Sequence, residues 1–274
     1  MNIAQSVILG VVEGLTEFLP VSSTGHLTIA EGVLGLKVDD KAVTAFTAVI
    51  QFGAIVAVLI YFRSDIIRLL TALGRGLVNP EARKDPDWHF VLCVLAGSVP
   101  IGIVGLATKS LVEGPLRSLW VVGAALIAWS GVMVFAERNA RQDRGESETT
   151  LRDALTIGVV QCAALVPGVS RSGATISAGL LRGLDRVAAT RLSFFLSIPA
   201  LTAAGLVELP SATGKGVGVT PTIVGTVVSF VVAYATIAWL LRFVAGHSIA
   251  KFVPYRVAMG ALVLFSMTVI AVTN

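Results

Sequence analysis

The chain has 274 residues, of which 55% are hydrophobic and only 14% charged, with a net charge of +4 and a mean hydropathy of +0.83. Soluble domains carry about 25% charged residues, so this composition excludes a soluble globular domain, and a nucleic-acid partner is not expected. It points to an all-α integral membrane protein, a single membrane domain over 1–274, with the bilayer as its partner.

In chain order, Ile3 to Leu19 reads as a helix. It lacks a positively charged start and runs straight into Glu13, which argues against a cleaved signal peptide. Glu13 and Glu17, four residues apart, would share one face. Pro20 then removes a backbone donor, and Ser22-Ser23-Thr24 suits the cap of a second helix beginning near Gly25. The apolar piece that follows, Leu27 to Leu36, is too short to cross a bilayer, so the two pieces form a re-entrant hairpin with a polar elbow. A charged side chain at the bilayer centre costs about 2.5–3.5 kcal/mol, so Glu13 and Glu17 require a partner, a water-filled cavity or an ion.

Six later stretches are long enough to span: Ala42 to Phe62, Phe90 to Ala107, Ser118 to Ala136, Leu192 to Val207, Pro221 to Leu241 and Val257 to Val272. Between the first two, Arg63 to His89 carries a helical apolar stripe and reads as an interfacial helix followed by a charged loop. The connections Thr108 to Arg117 and Glu137 to Asp153 show no sign of chemistry. Ala154 to Val166 is again too short to span and meets a second polar elbow, Pro167 to Thr175, PGVSRSGAT. Cys93 and Cys162 read as small buried hydrophobes. The stretch around Lys215 lacks the spacing of a phosphate loop, and His89 and His247 read as interface or loop residues.

The two elbows are related. Shifting the sequence by 148 residues pairs Gly10-Val11-Val12 with Gly158-Val159-Val160, Val21-Ser22 with Val169-Ser170, Gly25 with Gly173 and Gly35-Leu36 with Gly183-Leu184. Identities at both breakpoints favour an internal repeat, approximately 1–136 and 137–274. The first copy carries Glu13 and Glu17; the second has Gln161 and Leu165 there and places Arg171 opposite Ser23. With Arg63 to His89 set inside, 15 of the 21 basic residues fall inside, Arg256 among them, against 5 outside, which include Lys109 and Arg117, with Arg171 in its elbow. That asymmetry makes the hairpins dip from opposite sides. The expected fold is therefore six full transmembrane helices plus two re-entrant helical hairpins in an inverted-topology repeat, the elbows meeting around a cavity.

Residue types indicate the chemistry of that cavity. Two helix starts, near Ser23-Thr24 and near Ser172-Gly173, would aim unsatisfied N–H groups into it, and Arg171 adds a permanent planar cation matched to phosphate. Ser22 or Ser23 can attack phosphorus, and His26 follows on the same helical face, placed to move a proton. Glu13 and Glu17 can hold a divalent cation, or one of them can be the base. A salt bridge from Arg171 to Glu13 or Glu17 is the plainer reading of the same residues.

EGLTEFLPVSSTGH, Glu13 to His26, together with PGVSRSGAT, Pro167 to Thr175, resembles the undecaprenyl-diphosphate phosphatase family of bacterial membranes, also called the bacitracin resistance protein. The resemblance extends along essentially the whole chain. It implies hydrolysis of the C55 isoprenyl diphosphate to the monophosphate, which regenerates the lipid carrier of peptidoglycan synthesis. It implies Ser23 as nucleophile with His26 beside it, Glu13 and Glu17 as the acidic pair that holds Mg²⁺ or Ca²⁺, and Arg171 on the phosphates. Ser22, Thr24, Gly25, Ser170, Ser172, Gly173 and Thr175 complete the expected substrate-binding set. The implied location is the bacterial cytoplasmic (inner) membrane, with the site facing the periplasm; a homodimer is among the open oligomeric states. A lipid-phosphate flippase or anion transporter would use the same elbows and Arg171 without needing Ser23 beside His26.

Overall fold

The computed structural model describes residues 1–37, 40–212 and 217–273, and every named element among them is helical. Lys215 and most of the stretch around it lie outside the described residues. In chain order the helices are α1 (Ile3–Thr16), α2 (Ser23–Val33), α3 (Lys41–Tyr61), α4 (Arg63–Val78), α5 (Pro86–Ala107), α6 (Lys109–Glu113), α7 (Leu119–Asn139), α8 (Leu151–Gln161), α9 (Arg171–Leu181), α10 (Arg186–Ala212), α11 (Val219–Gly246) and α12 (Val253–Thr273). Among the described residues five stretches are long and apolar enough to cross a membrane: α3, α5, α7, α11 and Ile249–Val269, which enters α12. The chain is a multi-pass membrane protein. The expected span Leu192 to Val207 falls inside α10, which is 27 residues long but is not one of the five.

Local chemistry sets the boundaries. α5 begins at Pro86, earlier than the hydropathy suggests, because the Asp85 side chain caps it and Pro86 occupies the first turn, where its missing N–H costs nothing. α4 buries Leu69 and Ala72 while Ile67, Leu70 and Leu77 face outward, as an interfacial helix does. α1 stops at Thr16, short of Leu19, and α2 starts at Ser23, two residues before Gly25.

The two elbows have the same build. Ser22 and Ser170 are the N-caps of α2 and α9; both have positive φ, 79° and 80°, and their hydroxyls accept from the Gly25 and Gly173 backbone N–H. A non-glycine residue held there stores about 1–3 kcal/mol of strain, tolerated because the surroundings over-determine it. The elbows also touch directly. Ser22 Oγ accepts from Gly168 N at 3.0 Å, and Ser172 Oγ donates to Leu19 O at 2.9 Å. Backbone that would otherwise be unsatisfied inside a membrane protein is thereby paired.

Small residues let the short helices approach their neighbours. A Cβ on Gly10 of α1 would lie 2.6 Å from Gly225 O of α11, and one on Gly158 of α8 would lie 2.2 Å from Gly97 O of α5. Such contacts replace the hydrophobic drive that lipid does not supply between helices. Gly10 and Gly158 are the residues paired by the 148-residue shift, and each sets its half-helix against a long helix of the other half of the chain.

Candidate active site

Where the elbows meet, a cavity of about 660 Å³ is lined by residues that include Glu17, Ser22, Ser23, Thr24, Ser170 and Arg171. Ser23, at the first position of α2, donates from Oγ to Glu17 Oε2 at 2.6 Å. Arg171, at the first position of α9, donates from Nη2 to Glu17 Oε1 at 3.1 Å and from Nη1 to Ser193 O at 2.9 Å. Its guanidinium stands 6.0 Å over the Phe18 ring. One carboxylate therefore joins a hydroxyl from the first elbow to a cation from the second, and all three side chains line the cavity.

The other expected residues divide between the cavity and its supports. Ser170 Oγ accepts from Gly173 N at 3.1 Å and lies 3.1 Å from Ser172 Oγ. Thr175 Oγ1 donates to Ser193 Oγ at 2.7 Å, so Thr175, Ser172 and Gly173 shape the second elbow from behind. His26 does not meet the Ser23 hydroxyl: its Nδ1 is 2.7 Å from Ser22 O and its Nε2 is 2.7 Å from Tyr255 OH, with the two rings stacked. Both ring nitrogens are thus engaged on the side of α2 that faces α12. The shared helical face inferred from sequence places His26 against the backbone of Ser22, the neighbour of Ser23, instead.

Glu13 is fully buried, and neither of its oxygens has a hydrogen-bond partner among the described residues. Two unpartnered buried oxygens one helical turn from a second carboxylate, Glu17, are hard oxygen donors of the kind that would suit a divalent cation. Among the described residues no third carboxylate, histidine or cysteine joins them.

Several positions at the cavity and its elbows went unread in the sequence. Gln51, in the middle of α3, donates to Glu17 Oε2 at 3.4 Å, and a polar residue at the centre of a span is the signal that marks it. Arg256 corrects the charge count: it is not a loop residue but fully buried. It donates to Ser130 Oγ at 3.1 Å, Pro20 O at 2.9 Å, Leu126 O at 3.4 Å, Gly168 O at 2.9 Å and Val169 O at 3.1 Å. Three of those carbonyls belong to the elbows, so Arg256 ties both together. The connection from Thr108 to Arg117 also holds more than expected, because Lys109 and Arg117 line the same cavity as Ser23.

A profile of the family described as Bacitracin resistance protein BacA matches residues 6–262. Undecaprenyl-diphosphatase 3 of Frankia casuarinae is 60% identical over 268 residues, 97% of this chain and 96% of its own length. Undecaprenyl-diphosphatase 1 of Streptomyces avermitilis is 60% identical over 265 residues, 96% of each chain, and undecaprenyl-diphosphatase of Mycobacterium sp. (strain KMS) is 49% identical over 273 residues, 98% of each. A match this long, at this identity, spans both elbows and every residue of the cavity described above. The chain belongs to the bacitracin resistance protein BacA family.

Proposed function

We propose that this chain is a membrane hydrolase that removes the terminal phosphate of undecaprenyl diphosphate, giving undecaprenyl phosphate for reuse as the lipid carrier of cell-wall synthesis. The observation that carries the reading is the trio at the cavity: Ser23 on Glu17 at 2.6 Å and Arg171 on the same carboxylate at 3.1 Å. The relatives' names agree with it.

Ser23 Oγ attacks the terminal phosphorus and passes its proton to Glu17. The new Oγ–P bond forms as the bridging P–O bond breaks, and undecaprenyl phosphate leaves with the proton handed on by Glu17, which is a carboxylate again. Water then attacks the phosphoserine, Glu17 accepts the water's proton and returns one to Ser23 Oγ, and inorganic phosphate is released. Arg171 exchanges its contact with Glu17 for phosphate oxygens and holds them as charge develops, with N–H groups at the starts of α2 and α9 beside it. Ser22, Thr24, Gly25, Ser170, Ser172, Gly173 and Thr175 shape the cradle. His26 serves through the Ser22 turn, fixing its carbonyl and hence the direction of Ser23. Glu13 and Glu17 would hold a divalent cation, Mg²⁺ or Ca²⁺, which when bound supplies charge neutralisation to the phosphate oxygens.

For the architecture, we infer six spans, α10 providing the sixth, and two re-entrant hairpins, α1–α2 and α8–α9, in inverted repeats. At 1.5 Å per residue α10 reaches about 40 Å, enough to cross. The matching elbows and the reciprocal glycine contacts of α1 and α8 support the repeat. The excess of basic residues on one side supports a cytoplasmic-membrane location with the cavity open to the periplasm.

The decisive experiment measures phosphate release and lipid binding together. Wild type should release phosphate from undecaprenyl diphosphate, and Ser23→Ala should bind the lipid while releasing none. A wild type that moves lipid across the bilayer without hydrolysing it would replace this reading with a transporter.

A further inference from the structure

The end of the cavity where α3 and α7 begin holds a second arginine built much like the first. The Arg117 side chain is only 15% exposed; its Nη1 donates to Thr44 Oγ1 at 2.9 Å and its Nη2 lies 3.5 Å from Glu31 Oε2. The fork is under-used. Its Nε has no hydrogen-bond partner among the described residues, and neither do the two oxygens of Glu31, a carboxylate that is itself fully buried. Thr44, Thr47 and Lys109 line the same end of the cavity.

An arginine, a buried carboxylate and a hydroxyl thus recur, Arg171 with Glu17 and Ser23 at one end, Arg117 with Glu31 and Thr44 at the other. In a fully satisfied structural pair the carboxylate accepts hydrogen bonds at about 2.7–2.9 Å. Here the contact is long, Arg117 lines the cavity while Glu31 is buried behind it, and polar atoms on both are left without partners, so an anion in the cavity competes with Glu31 for an incompletely used fork. The arginine fork matches a phosphate, and the buried Glu31 offsets its charge when no anion is present.

We propose that Arg117, with Thr44 and Lys109, forms a second phosphate-binding subsite at the far end of the catalytic cavity, whose occupancy is opposed by Glu31. Its ligand is a phosphate monoanion or dianion, either inorganic phosphate on its way out of the cavity or the headgroup of an anionic phospholipid entering from the bilayer. The assignment of released phosphate as one source rests on the hydrolase reading, whereas the subsite itself is tested without turnover.

The test is calorimetric titration of inorganic phosphate into the full-length protein in nanodiscs of zwitterionic lipid. To silence the catalytic cradle without stranding a buried charge, it uses the double variant Glu17→Gln/Arg171→Gln. That protein should still bind phosphate. Adding Arg117→Gln should weaken binding by at least about tenfold, the loss of one charge-assisted hydrogen bond. Adding Glu31→Gln instead should tighten it by about threefold, because the competing carboxylate is gone, an increase that a purely structural ion pair does not give. The combined Glu31→Gln/Arg117→Gln change leaves no lone buried charge, so its loss of binding reports the subsite and not misfolding. Nanodiscs containing phosphatidylglycerol identify the source: suppression of phosphate binding there assigns the subsite to a lipid headgroup, and unchanged binding assigns it to free phosphate. Loss of all phosphate binding on removing Arg171 and Glu17 alone, or weaker binding in Glu31→Gln, overturns the proposal. Failure of the hydrolase reading shows separately, as wild type that releases no phosphate.

Discussion

Replacing Arg256 by methionine keeps most of the volume and removes every donor that the guanidinium directs at the elbows. Pro20 O, Gly168 O and Val169 O, now 2.9–3.1 Å from an Arg256 nitrogen, lose that donor. A buried acceptor left without a partner costs about 1–3 kcal/mol. Against this, methionine removes a fully buried charge whose desolvation costs several kcal/mol, so the two effects largely offset in stability. Geometry has no such compensation. Pro20 precedes Ser22 and Ser23, and Gly168 and Val169 precede Ser170 and Arg171, so freeing these carbonyls loosens the Ser23–Glu17–Arg171 trio, and a misplacement of about 1 Å costs about 100-fold in rate. We expect Arg256→Met to melt within a few degrees of wild type in detergent while phosphate release from undecaprenyl diphosphate falls by about 100-fold. Arg256→Lys keeps the charge but presents its donors from one point, and should fall between the two. A folded Arg256→Met with wild-type turnover would refute the clamp.

Gly158→Ala should destabilise by about 1–3 kcal/mol, since its Cβ would meet Gly97 O at 2.2 Å, and a melting temperature equal to wild type would show that α8 and α5 can separate freely. At Ser22, alanine loses the hydroxyl that accepts from Gly25 and Gly168 and keeps the strain of positive φ, whereas glycine loses only the hydroxyl; Ser22→Gly should therefore melt above Ser22→Ala, and equal melting would remove strain from the account. Asp153, at the start of α8, accepts from Arg144 and Arg182, each at 2.7 Å. Burial alone would raise its carboxyl, but hydrogen bonds from Arg144, Thr150 and Arg182 hold it well below the ordinary aspartate range. Its contribution to stability is then complete above the unfolded pKa of about 3.9 and is lost only as pH falls through the lower folded value. The melting gap between wild type and Asp153→Asn should be constant from neutral pH down to about 5 and close in stronger acid; a gap that closes near neutral pH would contradict this.

Membrane class, the two broken helices and the chemistry of the elbows are legible in the one-dimensional sequence because each is a local signal. Glu13 and Glu17 stand out in apolar sequence, Pro20 and the serine runs mark the breaks, and Arg171 is a cation where lipid would forbid one. The 148-residue shift likewise links Ser22 to Ser170 and Gly10 to Gly158 within the sequence itself. What the sequence leaves undecided are contacts between residues far apart in the chain. Ser23 and Arg171 share one carboxylate only because the elbows pack together, and His26 turns toward Tyr255, 229 residues away, although its spacing from Ser23 suits a catalytic pair. Arg256 counts as one more basic residue near a span end until its five hydrogen bonds place it beneath both elbows. Arg117 likewise belongs to a short connection until α2 and α3 bring Glu31 and Thr44 to it. Local sequence specifies which polar groups enter the membrane; tertiary packing decides which of them meet at a common cavity and which stay unpaired behind its wall, because in a low-dielectric interior each must find its partner across the fold.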